Sequence, residues 1–313
     1  AGNVTAGNLI LAAMGGVGSL ADPIESTVAR VEGAGGTGGF YILNTRSLVI
    51  GGIDSTRVGV VTTTGDINIQ TNDAFTIAED VRSTSGGDIL LRAIDAFTGA
   101  ETLTLNAGVS VSSTSGNIDL EAGDDLTLIA GSHVATGGSI RIATDVMDAD
   151  SGTGTSLTIA AELDSGTGSS ISGGSDNDTY NIFYPENATN SGTVTIVDAT
   201  GTDAVIINGA SHGEDLYLTT TDPPTTAATE HVSRGTASDE VIVVPETIES
   251  LRLNGGDGSD TFHVQPTQLF PVVVDGQNPQ FGDAGVPPGD FLILEPLGHT
   301  FNIIGKTIFV DGG

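Results

Sequence analysis

The sequence predicts an all-β protein, a right-handed parallel β-helix (β-solenoid), with β-roll-like units as an option in the C-terminal half. Three observations indicate this fold. A short pattern recurs along the first half of the chain, its apolar segments alternate with polar residues at period two, and 45 of the 313 residues are glycine. Alternation of period two predicts strands with one buried side, and frequent glycine suits a chain that turns a tight corner every few residues.

The recurring pattern is clearest between residues 63 and 145. Its first segment occurs at Gly65–Ile69, Gly87–Leu91, Gly116–Leu120 and Gly138–Ile142. A second apolar segment follows at Phe75–Ile77, Leu103–Leu105 and Leu126–Leu128, and a weaker third one lies around Val81, Val111 and Val134. The second unit is longer than the first and third, and its extra length falls within Ile94–Ala100. A near-constant period with its insertion confined to one corner is typical of a solenoid with three strands per coil.

The N-terminal part of the chain, up to Thr62, follows the same pattern less regularly. Strands are expected at Asn8–Ala13, Phe40–Leu43, Ser47–Ile50 and Val58–Val61, and Thr27–Glu32 is either a strand or a short helix. We therefore assign residues 1–165 to one solenoid with coils of roughly 22–30 residues. At a strand spacing of about 4.8 Å, the whole chain would form a rod on the order of 50–60 Å long.

The second half contains a longer repeat. Gly173–Ile182 matches Gly255–Val264, Ile196–Asp198 matches Val273–Asp275, and Asp203–Ile207 matches Asp290–Leu294. Residues 166–313 are thus interpreted as two copies of a unit of about 80 residues, at about 173–250 and 255–313, that continue the solenoid. Two segments, 219–229 with Pro223-Pro224 and 281–289 with Pro287-Pro288, are expected to project as loops where binding specificity would vary.

Composition limits the classes of partner. The chain carries 40 acidic and 9 basic residues, a formal net charge of −31. Such a balance argues against nucleic acid and anionic membranes as partners, because there is no cationic surface to release counterions. It favours divalent cations as counterions, with an acidic surface that serves only solubility as the alternative. No cysteine is present, so disulfides and thiolate–metal sites are excluded, and no apolar stretch is long enough to insert into a membrane.

Several segments resemble a known class of repeat protein. These are Gly15–Gly18, Ala21–Glu25, Gly38–Ile42 and Ser115–Leu128. They are similar to the repeats of haemagglutinin-like or adhesin-like β-strand-repeat regions in giant bacterial surface proteins. The resemblance implies an extracellular, cell-surface location and end-to-end stacking with neighbouring copies or repeats. It also implies cell-surface glycans or proteins as further partners. The chain starts at Ala1, and we expect a processed product or a fragment of a longer protein.

A second resemblance concerns metal binding. Gly255–His263 fits the nonapeptide GGxGxDxUx of calcium-binding β-rolls (RTX-like turns), and Gly173–Asn181 fits it with Asp176 in place of a glycine. The resemblance implies Ca²⁺ as a cofactor, with Asp260 and Asp178 in the carboxylate position and Phe262 as the core plug. Asp257 and Asp176 lie in the same two turns and complete the candidate ligand set. The alternative is a plain Gly/Asp turn capped by its own side chains.

No catalytic constellation is evident in the sequence. Lys306 is the only lysine, the histidines lack HxH or HExxH spacing, and no GxSxG motif occurs. We therefore predict a non-enzyme, a structural and adhesive segment of a large extracellular bacterial surface protein or filament, stiffened by calcium. The alternatives are a polysaccharide-active β-helix enzyme of the lyase type and a calcium-dependent ligand-binding module.

Overall fold

A computed structural model describes most of the chain: residues 4–96, 100–147, 149, 151–184, 192–220, 229–235, 241–265, 267, 269–277 and 290–295, together with the backbone of 301–304 and 307–310. Residues 221–228 and 281–289 of the two predicted Pro-Pro loops, and Lys306, lie outside the described residues, whereas Thr219, Thr220 and Thr229 belong to strands and not to a loop. Within these ranges the protein is all-β and contains no helix, and hence no helix that could cross a membrane. The predicted parallel β-solenoid is confirmed, with about ten turns. Thr27–Glu32 contributes to two strands rather than a helix.

The strands in chain order are β1 (Val4–Thr5), β2 (Asn8–Ala12), β3 (Ile24–Thr27), β4 (Arg30–Gly36), β5 (Phe40–Asn44), β6 (Leu48–Ile50), β7 (Val60–Thr62), β8 (Ile67–Thr71), β9 (Phe75–Ile77), β10 (Val81–Ser83), β11 (Ile89–Ala93), β12 (Leu103–Leu105), β13 (Ser110–Ser113), β14 (Ile118–Glu121), β15 (Leu126–Leu128), β16 (His133–Thr136), β17 (Ile140–Ala143), β18 (Ser156–Ile159), β19 (Glu162–Ser165) and β20 (Ser169–Ser172). They continue as β21 (Thr179–Phe183), β22 (Thr193–Ile196), β23 (Ala204–Asn208), β24 (Asp215–Thr220), β25 (Thr229–Arg234), β26 (Val241–Pro245), β27 (Ser250–Asn254), β28 (Thr261–Val264), β29 (Val272–Asp275), β30 (Phe291–Leu294), β31 (Phe301–Ile304) and β32 (Thr307–Val310).

Coils in the first half have three strands, as in β8–β9–β10. The first strand of each coil stacks in one sheet, called the first sheet, which runs β1-β3-β5-β8-β11-β14-β17-β20-β22 and onward. The second and third strands form two separate stacks of the second sheet. These two stacks are joined at β4, which is long enough to pair with β6 through its beginning and with β7 through its end.

The core consists of identical or similar side chains stacked along the axis. In the first sheet, Ile67, Ile89, Ile118 and Ile140 are in register on successive coils, and all are buried. The second sheet repeats this with buried apolar residues on β9, β12, β15 and β18. Each fully buried aliphatic side chain contributes about 1.5–3 kcal/mol, so repetition of one inward position along the stack supplies the stability that a single coil lacks.

Glycine is required where successive coils touch at a corner. A Cβ on Gly116 would lie 2.3 Å from the carbonyl oxygen of Gly87, the equivalent residue of the preceding coil. No other residue fits that approach without moving the backbone. The recurrent glycine of the sequence pattern is therefore a packing requirement of the stack.

The coil changes after β19. Among the described residues, β19 is the last strand in the stack formed by the third strands of the coils. From β20 onward the strands alternate between the first and second sheets, except that β24, β25 and β26 all belong to the first. Both halves share these sheets because β20 pairs with β17 and β21 with β18. The division into residues 1–165 and 166–313, the latter as two copies of one unit, stays a prediction. The two matched segments lie on different sheets: β21 belongs to the second sheet and β28 to the first.

Two features depart from a purely parallel stack. The strands β24, β25 and β26 form an antiparallel meander within the first sheet, between β22 and β28. The strands β31 and β32 pair with each other, also antiparallel. Alternating apolar residues predict strands but do not distinguish parallel from antiparallel partners, so neither feature was predicted.

Candidate metal centre

The four predicted ligands lie in two separate corners of the solenoid. Asp176 and Asp178 precede β21, and Asp257 and Asp260 precede β28. Asp178 and Asp260 are buried, with exposed fractions of 1% and 0%. Asp257 is exposed and Asp176 is half-buried, with its Oδ2 accepting a hydrogen bond from the Gly152 amide at 2.6 Å.

Asp178 meets two carboxylates that the sequence analysis did not select, Asp198 and Asp203. One carboxylate oxygen from each residue lies within 4.8 Å of the others. Asp198 follows β22, and Asp203 immediately precedes β23, so both belong to the corner one coil beyond that of Asp178. These three residues are named the carboxylate triad. In the described part of the chain it is the one group of three acidic or histidine side chains whose spacing suits a shared ion.

Hydrogen bonds from the protein fix one oxygen of each triad carboxylate. Asp178 Oδ1 accepts from the Thr155 amide (2.8 Å) and hydroxyl (3.0 Å). Asp203 Oδ1 accepts from the Asp178 amide at 2.7 Å, which joins the two corners directly. Asp198 Oδ1 accepts from the Tyr180 hydroxyl at 2.9 Å. The three Oδ1 atoms are therefore held in place by the fold.

Tyr180 occupies a core position and orients the triad. It stacks in register between Leu157 and Val205 and is fully buried. Its hydroxyl accepts from the Gly173 amide at 2.8 Å and donates to Asp198. A buried tyrosine needs partners for its hydroxyl, and here those partners are the corner backbone and one triad carboxylate.

The second oxygen of each triad carboxylate is left without a partner. The Oδ2 atoms of Asp178, Asp198 and Asp203 are buried and receive no hydrogen bond from an N–H or hydroxyl group, although Asp198 and Asp203 are close enough to share a proton. A Cβ at Gly173 would lie 2.3 Å from Asp178 Oδ2, so glycine at this corner makes room for that oxygen. Leaving a buried carboxylate oxygen without a partner costs free energy, and here three neighbouring carboxylates each have one.

Burial also perturbs the acidity of the triad. Burial raises the pKa of Asp178 to about 6, against the lowering effect of its bonds to Thr155. The pKa values of Asp198 and Asp203 are raised as well, chiefly by burial. A carboxylate pKa rises in this way when the charged form is desolvated and no cation compensates. The triad thus favours either protons or a bound cation.

The second copy of the repeat has the equivalent residues but arranges them differently. Asp260 and Asp290 stack as Asp178 and Asp203 do, with the Asp260 amide donating to Asp290 Oδ1 at 3.1 Å. The third equivalent, Asp275, forms an ion pair with Arg252 and accepts from the Gln277 amide. Phe262 stands where Tyr180 stands in the first copy and has no hydroxyl to hold Asp275 in place.

Asp260 nevertheless shares features with Asp178. Its Oδ1 accepts from the Glu214 amide at 2.9 Å, and its Oδ2 is buried without a partner. Burial raises its pKa to about 6. Calcium binding at Asp257 and Asp260 stays a prediction.

The residues missed from the sequence had a detectable signal. Asp198 and Asp203 have the same spacing as Gly173 and Asp178, so residues 198–206 are a further, degenerate copy of the corner nonapeptide. Both follow Asp178 along the chain by about the length of one coil. Searching for acidic residues at the coil period would have found both.

A second polar feature lies on the outer face of the first sheet. Glu121 is almost fully buried and forms ion pairs with both Arg92 and Arg141 on the neighbouring strands. An open groove of about 500 Å³ runs beside them, lined among others by Asp119, Arg141 and Ser170. Burial, with the nearby Glu121 charge, raises the pKa of Asp119.

Comparison with known proteins adds no relative to this description. Neither the protein-family models, the curated proteins nor the solved structures contain a match to the chain. The resemblance to adhesin-like repeats and RTX-like turns therefore rests on the residues quoted above and stays a prediction.

Proposed function

We propose that this chain is a non-catalytic structural and adhesive segment of a large extracellular bacterial surface protein or filament. The observation that best supports this role is the continuity of the stack, in which fourteen hydrogen-bonded strands of the first sheet link β1 to β30. Each coil of a solenoid contacts only its neighbours, so such a stack transmits load along its axis and lengthens by adding coils. Function then lies in holding distance and in displaying the outward residues.

End-to-end association with neighbouring copies is part of this proposal. The strands β1 and β2 form the first rung, and within the described residues they pair on one side, with β3 and β4 respectively. Ile10 on β2 is 40% exposed. An edge strand with free backbone groups and an exposed apolar side chain is a template for pairing with another chain.

Solution scattering and sedimentation test the two parts of the proposal. The rod predicts an elongated particle, and association predicts a sedimentation coefficient that rises with protein concentration. Ile10→Lys should abolish the rise, whereas Val58→Lys, an exposed position away from the first rung, should not. A compact scattering profile would contradict the rod. A monomer at every concentration, with or without calcium, would contradict the stacking.

The groove beside Arg141 favours a second candidate, a polysaccharide-active function. Asp119, Arg141 and Ser170 are in register on adjacent strands, as a site that follows an extended sugar chain requires. Glu121 neutralises the arginine, however, so a lyase would need another base. Incubation with acidic polysaccharides, followed by ultraviolet detection of unsaturated products, distinguishes a lyase from a non-catalytic structural segment. Product formation that is lost in Asp119→Asn would favour the enzyme.

A further inference from the structure

We propose that the carboxylate triad of Asp178, Asp198 and Asp203 binds one hard divalent cation through its three Oδ2 atoms. This inference goes beyond the scaffold role and does not depend on it, because a rod of stacked coils can serve as a spacer with or without an ion.

The first argument is that the two oxygens of each carboxylate have different hydrogen-bonding environments. Every Oδ1 accepts from a protein donor, and every Oδ2 is buried and receives no hydrogen bond from an N–H or hydroxyl group of the protein. Buried carboxylate oxygens normally have a hydrogen-bond partner, and here three unpaired ones belong to side chains that meet. One oxygen from each of the three carboxylates lies within 4.8 Å of the others, and the Oδ2 atoms are the ones that no protein group donates to.

The second argument is charge. The charge interactions that act on Asp178 come from further carboxylates, Asp203 and Asp176, and Glu249 acts on Asp203 in the same way. Two of the three triad residues are 1% exposed. Like charges held this close in a buried corner repel, and a cation converts the repulsion into attraction.

The third argument identifies the class of ion. All three ligand atoms are carboxylate oxygens, which suit calcium, magnesium or manganese rather than zinc or copper. Calcium is expected to bind more tightly than magnesium, because magnesium gives up its water reluctantly and demands near-ideal octahedral geometry. Calcium takes six to eight oxygen ligands, so water or backbone carbonyls would complete the coordination around the three carboxylates.

The second copy of the repeat supplies the contrast within the same molecule. There Asp275 forms an ion pair with Arg252. Phe262, at the position equivalent to Tyr180, has no hydroxyl group. Tyr180 is thus a positioning residue: it donates to Asp198 Oδ1 and so holds that carboxylate beside the other two. The ion would join the corner before β21 to the corner before β23, and so tie two successive coils together.

The test uses the full chain, freed of metal by chelation and then desalted, at neutral pH and about 0.15 M potassium chloride, which screens non-specific binding to the acidic surface. Calcium and magnesium are titrated separately by calorimetry. Terbium is titrated as a luminescent substitute for calcium, since its emission is sensitised by nearby aromatic side chains. The chain has no tryptophan and only four tyrosines, so few residues can act as donors. Tyr180, in contact with the triad, would be the principal donor.

Asp198→Asn is the main variant, since asparagine keeps the oxygen that accepts from Tyr180 and replaces the free oxygen with an amide. Asp275→Asn is the matched control in the second copy. We expect calcium affinity to fall at least tenfold in Asp198→Asn and to stay within twofold in Asp275→Asn. Asp203→Asn, which also keeps its backbone acceptor, provides a second variant should the first not fold.

Tyr180→Phe should abolish most of the sensitised terbium emission. It should also weaken calcium binding, whereas a tyrosine that only fills the core would leave the affinity for calcium unchanged. Equal calcium affinity in the wild type, Asp198→Asn and Asp203→Asn would overturn the proposal. So would the absence of any saturable response to calcium or magnesium, which would leave the triad as a cluster that shares protons.

Discussion

Replacement of Leu126 by alanine tests the principle on which the rod rests. Leu126 is fully buried and lies in register between Leu103 of the preceding coil and Leu157 of the next. Removing three carbon atoms costs about 2–3 kcal/mol in transfer free energy, at about 0.8 kcal/mol per methylene. The cavity between two fixed neighbours raises the expected loss of unfolding free energy to about 3–5 kcal/mol.

The control is Thr127→Ala, the next residue on the same strand, whose side chain faces outward and is only partly buried. Its cost should be about 1 kcal/mol or less. Urea unfolding measures both values. Hydrogen exchange read by mass spectrometry should show the loss of protection in Leu126→Ala concentrated in β12, β15 and β18, because stability in a solenoid is a sum of coil and nearest-neighbour terms.

A difference below about 1 kcal/mol between the two variants would refute the assignment of this position to the shared core. An even loss of protection along the whole chain would refute the nearest-neighbour reasoning. It would indicate instead that the rod unfolds as a single unit.

Three other substitutions test the corners and the buried polar groups. Gly116→Ala places a methyl group against the carbonyl of the preceding coil and should lower the urea midpoint by an amount equivalent to several kcal/mol. The control is Gly7→Ala, whose added methyl group meets no atom within 4 Å and should leave the midpoint nearly unchanged. Tyr180→Phe removes two buried hydrogen bonds and should lower the unfolding free energy by about 1–3 kcal/mol, measured by urea unfolding, while Tyr41→Phe at a partly exposed site should cost less. The pKa of Asp260 is raised to about 6 from an ordinary value of 3.8, so the stability it contributes is complete below about pH 4 and is lost as pH rises through about 6. Urea midpoints at about pH 5 and pH 7.5 should therefore differ less in Asp260→Asn than in the wild type, and an unchanged difference would contradict the raised pKa.

A bound cation would change the mechanics of the scaffold at a defined place. The triad lies where three-strand coils give way to coils that alternate between two sheets. An ion that links two successive corners here would stiffen the part of the rod that follows β19, where the coils no longer have a third strand. Removal of the ion is then expected to raise hydrogen exchange first in β21 and β23, which the two corners precede.

Much of the fold could be predicted from local patterns. The alternation at Ile67 and Ile69, repeated one coil later at Ile89 and Leu91, is enough to predict a strand and its inward face. The return of glycine at each corner predicts the close contact between coils. These features are periodic, and each depends on residues within one coil.

The candidate site was only partly predictable. Asp178 was selected from a motif, but Asp176 and Asp257 from the same turns do not join the triad, and the two residues that do were overlooked. The motif describes a single turn, whereas the triad is built from two. Which carboxylates meet depends on coil length and on the hydroxyl of a core residue.

Residue patterns were sufficient to predict the all-β class, the solenoid period, the inward residues and the duplication in the second half. Tertiary structure alone decided that the two copies lie on different sheets, that an antiparallel meander interrupts the first sheet, and that Asp198 and Asp203 converge on Asp178. The physical reason is that side-chain alternation is encoded locally by the pleat of a strand. Lateral pairing is instead decided by which coils stack, and that stacking brings together carboxylates that a full coil separates along the chain.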